Sequence, residues 1–515
     1  MTLNLQQQDI DRFRDLVAER YGLNLDNGNQ DRVREVLARG VQRTGCGDAS
    51  IYVQRLLEHA CAPAEAAALV EDLTVAETYF FRHHDQFRAL LERVILPRAR
   101  EPRRGGLRML SAGCASGEEA YSLAILLCDH VTERASRDLE IVAIDLNAGL
   151  LAKAAQARYT PWSLRGVDEE IRRRHFAAVG SDFVLQAPVR ELATFTHGNL
   201  MDDHLCRRWP SESFDVIFCR NVIMYFTPEA ARTVIARLAR LLVPGGLLFL
   251  GPAETLRGLS GDFHLQHSHG TFYYQRKSAN EQARPYTADA EVAWQPAEPC
   301  PPVAITPDES WVTTICGAAE RIASLSRSAF AASSSKSGAP AGLAAEGDFD
   351  RLCSARQLVL EERFDDALRL LQALPIQEGQ SSDAQLLAAA VLTNTGRVRE
   401  AEQLCRAVLA SDELNAEAHY LLALCREHAG EAATAIEQDQ MAIYLDPQFA
   451  MPHLHVGLLA KRAGDHRAAQ RAFRQAAALL AREDASRIVL FGGGFGREAL
   501  IQLCRTELRS GEDFR

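Results

Sequence analysis

Between residues 107 and 250 short apolar runs, LRMLSA, LEIVAID, FDVIFC and GGLLFL, alternate with stretches such as EEAYSLAILLCDHV in which apolar positions return every three or four residues. Continuously apolar runs suit strands covered on both faces, and the intervening period of 3.6 suits the helices that cover them. The pattern predicts a doubly wound, Rossmann-like α/β domain with a parallel sheet over 86–277. The interval 158–196 breaks the rhythm and predicts a helix and a small antiparallel hairpin, DFVLQAPVRELATF, inserted between parallel strands. Residues 1–85 are helical by period: in DRVREVLARGVQRTG, Val33, Val36, Leu37, Gly40 and Val41 form one stripe, while Arg32, Arg39 and Arg43 share another face.

Past residue 277 the pattern changes twice. Residues 278–345 hold seven of the nineteen prolines and end in AFAASSSKSGAPAGLAAEG, which predicts a flexible linker. Then Gly396, Gly430 and Gly464 recur 34 residues apart, each followed five residues later by Ala401, Ala435 or Ala469. Ala355, Ala389, Ala423 and Gly457 keep the same interval, where paired helices must approach closely. This spacing over 346–484 resembles tetratricopeptide (TPR) repeats, an all-α solenoid whose concave surface takes protein or peptide ligands. The tail 485–515, with FGGGFGREALIQLC, adds a glycine cluster and a helical end with no function attached.

Composition narrows the classes. A formal net charge of -11 argues against nucleic acid or anionic membrane as a general partner. The start MTLNLQQQDIDRFRDLV lacks the features of an export signal, and no run of about 18 apolar residues occurs, so a cytoplasmic protein without membrane insertion is expected. The twelve cysteines form no CxxC pair and are expected to be reduced. His264, His267 and His269 lack a cysteine or acidic partner in sequence, and no metal site is assigned to them.

The chemistry concentrates in SAGCASGEEAYS. A strand, a glycine turn and a helix point backbone N–H groups at a ligand beyond the carboxyl ends of the strands. A phosphate loop would need a lysine where Glu118 and Glu119 stand, and a dinucleotide loop would need a glycine that the stretch after Gly113 does not supply. Carboxylates suit a cation. S-adenosylmethionine offers an ammonium, a sulfonium and a ribose diol, and Asp145, closing LEIVAID, stands where a carboxylate accepts ribose hydroxyls. After FDVIFC, Arg220, Asn221 and Val222 are expected to face cofactor and substrate, and Tyr225 to border the reaction centre or else to sit in the core. A nicotinamide-dependent oxidoreductase, a catalytically weak TPR signalling scaffold and a small-molecule methyltransferase are the alternatives.

TVAETYFFR, SAGCASGEEAYSLAI, AIDLN, GNLMDD and FDVIFCRNVIMYF occur in that order, and residues 1–277 resemble the CheR chemotaxis receptor methyltransferases. The TPR extension resembles the branch of that family found in chemosensory systems controlling surface attachment and biofilm formation. The resemblance implies an S-adenosylmethionine-dependent protein-glutamate O-methyltransferase acting on the cytoplasmic helical domain of a chemoreceptor. Its Asn-x-Thr-x-x-x-Arg pattern falls on Ala76, Thr78 and Arg82, where Ala76 departs and cannot supply a side-chain hydrogen bond. It further implies cofactor roles for Gly113, for Glu118 or Glu119 (Glu119 by register), for Asp145, Asn199 and Leu200, and for Asn221 and Val222. Arg82 is the candidate for orienting the acceptor carboxylate, with Tyr225 second. Arg32, Arg39 and Arg43 would dock acidic receptor helices, and the insertion resembles a subdomain that binds a receptor tail peptide in some members.

Overall fold

In the computed structural model, residues 6–25, 30–58, 61–74, 76–100, 106–131, 139–203, 208–278, 311, 348–361, 363–374, 379, 381–493 and 495–510 are described. The expected linker lies outside these, apart from Ser278 and Trp311. The chain divides into two units, Met1–Pro285 and Tyr286–Arg515.

In the first unit β1 (Leu107–Ala112) pairs in parallel with β2 (Leu139–Asp145), Leu107 opposite Leu139 and Ala112 opposite Ile144. β6 (Ala193–His197), β7 (Phe214–Cys219) and β8 (Leu242–Leu250) extend the parallel set, and β9 (Phe263–Ser268) and β10 (Thr271–Arg276) close it as an antiparallel edge. The seven-stranded order is β6-β2-β1-β7-β8-β10-β9. The apolar runs are buried as their composition requires: Met109, Leu110, Ile141, Ile144, Val216 and Phe218 are at most 0% exposed.

The insertion is a second sheet, β3 (Arg158–Tyr159), β5 (Asp182–Leu185) and β4 (Phe176–Val179) in that order, with the helix Glu169–His175 between β3 and β4 in the chain. This corrects the hairpin expected in DFVLQAPVRELATF. Its first half does form β5, but β5 pairs with β3 and β4; Ala187–Glu191 is a short helix with proline in its first turn, and ATFTH becomes β6, parallel to β2. Pro188 has no N–H for a ladder and suits the first turn of a helix, which ends the strand there.

Among the described residues the helical domain is built of α1 (Gln7–Tyr21), α2 (Gln30–Thr44), α3 (Ala49–Leu57) and α4 (Pro63–Leu73), and a further helical stretch, His84–Arg100, leads into β1. The predicted stripe of α2 packs with Phe13, Val17, Tyr52 and Leu69 in one core. Gly40 belongs to it because a Cβ there would lie 2.2 Å from the Tyr52 ring. This domain is stitched to the loop after β7: Asn24 donates its N–H to the Tyr225 carbonyl at 2.7 Å, and Thr227 donates to Gly22 at 2.8 Å.

The second unit consists of helix pairs: Asp348–Leu360 with Phe364–Gln372, Ser382–Asn394 with Val398–Ser411, Ala416–His428 with Ala432–Leu445, and Ala450–Arg462 with His466–Leu480. Gly396, Gly430 and Gly464 take φ of +77° to +79° in the intra-pair turns, where glycine carries no steric penalty. At the close approach a Cβ on Gly457 would meet the Phe473 ring at 2.8 Å. The tail is also ordered into helices, Ala485–Phe491 and Arg497–Ser510. No helix among the described residues is long and apolar enough to cross a membrane.

Candidate active site

β1 lies between β2 and β7, so the connections leaving their carboxyl ends diverge and open a crevice. It holds about 760 Å³ of empty space, part of it open to solvent. Gly113 after β1, Asp145 at the end of β2, Asn199 and Leu200 after β6, and Asn221, Val222 and Tyr225 after β7 line it. Tyr21, Leu23, Leu73 and Thr74 close it from the helical domain, a contribution that sequence reasoning missed: Tyr21 and Leu23 are remote in sequence from every motif, and Leu73 and Thr74 stand at the opening of TVAETYFFR, where no role was given to them.

Asp145 is fixed by two backbone donors, Ala115 N–H to Oδ2 at 2.8 Å and Asn147 N–H to Oδ1 at 2.8 Å. Burial raises its pKa, against the pull of those donors. Gly113 has φ of +78°, and a Cβ on it would lie 2.4 Å from Val222 Cγ2, so the β1 and β7 loops touch only because this residue has no side chain. Asn199 donates from Nδ2 to the Arg20 carbonyl at 2.9 Å and accepts the Met201 N–H at 2.9 Å, tying the β6 loop to α1.

Asn221 sits in the left-handed region at φ +58°. What holds it there is Glu254, a residue the sequence reading passed over. Its buried carboxylate accepts the N–H groups of Gly251 at 2.6 Å, Asn221 at 2.7 Å, Val222 at 2.8 Å and Met224 at 3.2 Å. The available signal was a lone glutamate just after the apolar run LLFLGPA, where a carboxylate needs local donors.

The two loop glutamates are not on the cleft wall. Glu118 accepts from Ser116 Oγ at 2.7 Å and Ser163 Oγ at 3.2 Å. Glu119 accepts from Ser111 Oγ at 2.7 Å and lies 3.4 Å from Arg220 Nη1. Burial raises both pKa values, opposed at Glu119 by the Arg220 charge. Arg220 departs from expectation: it is buried against Phe87 and Phe218 and donates to the Arg82 carbonyl, so it faces the interior. An arginine beside a buried glutamate is drawn to that charge, which a loop assignment by position does not foresee.

Ala76, Thr78 and Arg82 stand on the segment between α4 and the helix His84–Leu90 and are absent from the cleft wall. Arg82 donates from Nη1 to the Glu77 carbonyl at 3.0 Å and has its guanidinium 5.9 Å from the centre of the Tyr79 ring. Tyr225 borders the cleft and is 37% exposed, so it is not a core tyrosine.

The arginine face of α2 forms but is engaged within its own domain. Arg43 makes a two-pronged bond to Glu65, at 2.9 and 3.0 Å, and reaches Asp72 at 2.6 Å; Arg39 bonds Asp72 at 2.8 Å and Glu35; Arg32 donates to the Leu73 carbonyl at 2.9 Å. The expected basic dock is therefore largely neutralised by α4. Among the described residues no group of three or more metal-type side chains converges, and His269 instead pairs with Glu92 at 2.8 Å. The described cysteines are all free.

The cleft wall carries a carboxylate and no lysine or arginine, which suits a cationic ligand without phosphates and fits S-adenosylmethionine. The model of the CheR methyltransferase SAM-binding domain matches residues 76–272, that of the CheR all-alpha domain 8–74, and a tetratricopeptide repeat model 358–447. The chain is 29% identical over 488 residues to the probable biofilm formation methyltransferase WspC of Pseudomonas aeruginosa, covering 91% of this chain and 98% of that one. With its namesake from Pseudomonas putida it shares 27% over 483 residues, 90% and 97% of the two chains. With chemotaxis protein methyltransferase 2 of Vibrio cholerae it shares 32% over 270 residues, 52% of this chain and 92% of the relative. A SAM-binding match over the whole α/β region sets the nicotinamide alternative aside. The chain belongs to the CheR methyltransferase family, with S-adenosylmethionine as its cofactor and a WspC-like arrangement of methyltransferase followed by TPR repeats.

Proposed function

We propose that the chain methylates glutamate side chains in the cytoplasmic helical domain of a chemoreceptor, within a chemosensory pathway tied to biofilm formation. The observation that carries this reading is the cleft at the β1–β7 switch point, with the fixed Asp145 carboxylate on a wall free of basic side chains. The relatives named for chemotaxis and biofilm formation supply the pathway. The same reading keeps the domain boundaries at 85, 277 and 345 and a cytoplasmic location.

When bound, S-adenosylmethionine would supply a methyl carbon on a sulfonium, open to an acceptor carboxylate oxygen that bonds to that carbon as the C–S bond breaks, the electron pair staying on the departing neutral thioether. In this proposal Asp145 accepts the ribose hydroxyls, Asn199 and Leu200 flank the adenine, and Gly113, Asn221 and Val222 shape the floor. Glu119, by register, or Glu118 accepts from the ammonium, and Thr78 and Arg82 complete the site, with Ala76 contributing backbone only. A glutamate is ionised at neutral pH, its ordinary pKa being about 4.3, so no general base is needed and the protein acts by alignment and exclusion of water. Arg82 orients the acceptor carboxylate and Tyr225 borders it. Docking of acidic helices on α2 would require Arg39 and Arg43 to exchange Glu35, Glu65 and Asp72 for receptor carboxylates. The TPR repeats take a protein ligand.

The test incubates the full chain with labelled S-adenosylmethionine and a receptor cytoplasmic fragment. Base-labile methyl esters that disappear in Arg82→Ala are expected. Alkali-resistant methylation would overturn the glutamate assignment.

A further inference from the structure

The first helices of successive TPR pairs, Asp348–Leu360, Ser382–Asn394 and Ala416–His428, adjoin one another and build one face of the array. Stacked repeats of this kind use such an extended face for binding. Here the chain's own tail lies on it. The helix Ala485–Phe491 packs on Asp348–Leu360 and Ser382–Asn394, and its last carbonyl accepts the Tyr420 hydroxyl at 3.2 Å.

In the repeat period this helix begins where the first helix of a fifth unit would begin, after Ala416 and Ala450. It stops after seven residues, whereas Ala450–Arg462 runs for thirteen. At Gly492 a Cβ would lie 2.4 Å from the Ile488 carbonyl oxygen, and Gly493 takes φ of +64°, so glycine permits the chain to reverse. The following helix, Arg497–Ser510, returns onto His466–Leu480.

The tail helix is held as a ligand would be. Arg487 is bonded to Glu417 at 2.6 Å and to Asp446 at 2.8 Å, lies 3.5 Å from Glu483, and covers the Phe449 ring at 4.0 Å. Ile488 and Phe491 are 2% and 4% exposed, and Phe491 packs edge-on against Phe449 and Tyr420. Glu417 and Asp446 belong to the third pair and its exit turn, so one guanidinium bridges carboxylates that the repeat itself presents. A second segment of the chain joins in: Trp311 donates its backbone N–H to Glu427 at 3.0 Å and stacks on Phe495 with ring centres 5.5 Å apart.

We propose that this face receives an amphipathic helix from a partner protein, carrying an arginine, an adjacent aliphatic residue and an aromatic one turn on, and that Ala485–Phe491 occupies it in cis. A helix of seven residues has little stability of its own, and the glycines behind it supply a hinge, so a partner helix of like chemistry can displace it. A tethered occupant competes at the millimolar effective concentration of a short linker, which keeps weak or chance ligands out. The proposal does not depend on which residue the methyltransferase modifies.

The probe is a fluorescein-labelled peptide DASRIVLFG, residues 484–492, titrated by anisotropy into the full-length chain. Binding to a chain carrying Arg487→Glu and Phe491→Ala is expected to be at least tenfold tighter than to the unaltered chain, because the cis helix is loosened and the face is intact. Adding Glu417→Arg should weaken that binding, and a peptide with glutamate in place of its arginine should regain it, a result that a damaged fold does not produce. Equal affinity for the loosened and unaltered chains, including no binding to either, or failure of the exchanged pair, would overturn the proposal. Hydrogen exchange on the unaltered chain guards against variants that fail to fold: amides of Ser486–Phe491 should exchange at least tenfold faster than those of His466–Leu480, and equal protection would make the helix a fixed part of the core.

Discussion

Glu254 Oε2 accepts the backbone N–H of Asn221 at 2.7 Å, and Asn221 stands at φ +58° on the cleft wall. A carboxylate that does not itself line the cleft thus sets the shape of the loop that does. Because the same side chain also accepts from Gly251, Val222 and Met224, the ends of β7 and β8 share one anchor.

Glu254→Gln places an amide nitrogen against backbone N–H donors. Hydrogen bonds to a charged group contribute about 1.5–3 kcal/mol each, so the loop loses its fixed form. Calorimetry should report at least a tenfold loss of S-adenosylmethionine affinity, with a lower melting temperature. Unchanged affinity would disconnect this loop from the cofactor.

Asp145 is pushed above the ordinary carboxylate range by burial. The folded state then holds the proton more tightly than the unfolded chain, so stability falls as pH rises from 3.8 through the raised value. Cofactor affinity runs the other way, since only the ionised carboxylate accepts with both oxygens free of protons. Asp145→Asn should flatten the pH dependence of melting in this window and weaken cofactor binding at neutral pH about tenfold or more, by the loss of one charge-assisted bond. Retained affinity in calorimetry would remove Asp145 from the ribose role.

Arg43 and Arg39 separate structure from docking. Glu65 is 8% exposed and depends on Arg43 and on the Tyr52 hydroxyl at 2.6 Å, so Arg43→Ala should destabilise the helical domain by about 1–2 kcal/mol after allowance for solvent screening. Arg39 is the more exposed of the two, its side chain 47% exposed against 31% for Arg43, and Arg39→Ala should lower melting less than Arg43→Ala. If Arg39→Ala nevertheless raises KM for a receptor fragment severalfold, the α2 face takes part in docking; an unchanged KM leaves it a structural face.

His455 is fully buried between Asp439, 2.7 Å from Nδ1, and Glu427, 3.3 Å from Nε2. Burial alone would lower its pKa, but the two carboxylates outweigh burial and raise it to about 9. A raised folded value means that the stabilisation is complete below the ordinary 6.5 and is lost as pH rises through about 9. Hydrogen-exchange protection in Ala416–His428 and Ala450–Arg462, corrected for the intrinsic base-catalysed rate, should therefore fall between pH 6.5 and 9. His455→Ala strands the buried Asp439 carboxylate, while Glu427 keeps Arg462 at 2.6 Å and the Trp311 N–H at 3.0 Å, and should cost about 3–5 kcal/mol at neutral pH. Protection that stays constant across this window would show that the cluster is not ionised as described.

The pattern of apolar positions determined the parallel sheet, the helical start and the 34-residue repeat, because burial imposes a period of 2 or 3.6 on any chain and a repeat imposes its own. Gly113, Asp145 and residues after β7 could be placed together from sequence because strand ends in such a sheet point to one crevice, whose wall they line. Tertiary structure alone decided the rest. Glu254, Tyr21 and Leu23 reach the site across large separations in sequence; Arg220 turned inward to a glutamate, and the α2 arginines to α4, because buried or neighbouring charges select partners by distance rather than by order along the chain. The tail is the extreme case. Nothing in ASRIVLFGGG names its place, since the carboxylates and aromatic rings that hold it, Glu417, Asp446, Phe449 and Tyr420, converge only when the repeats stack.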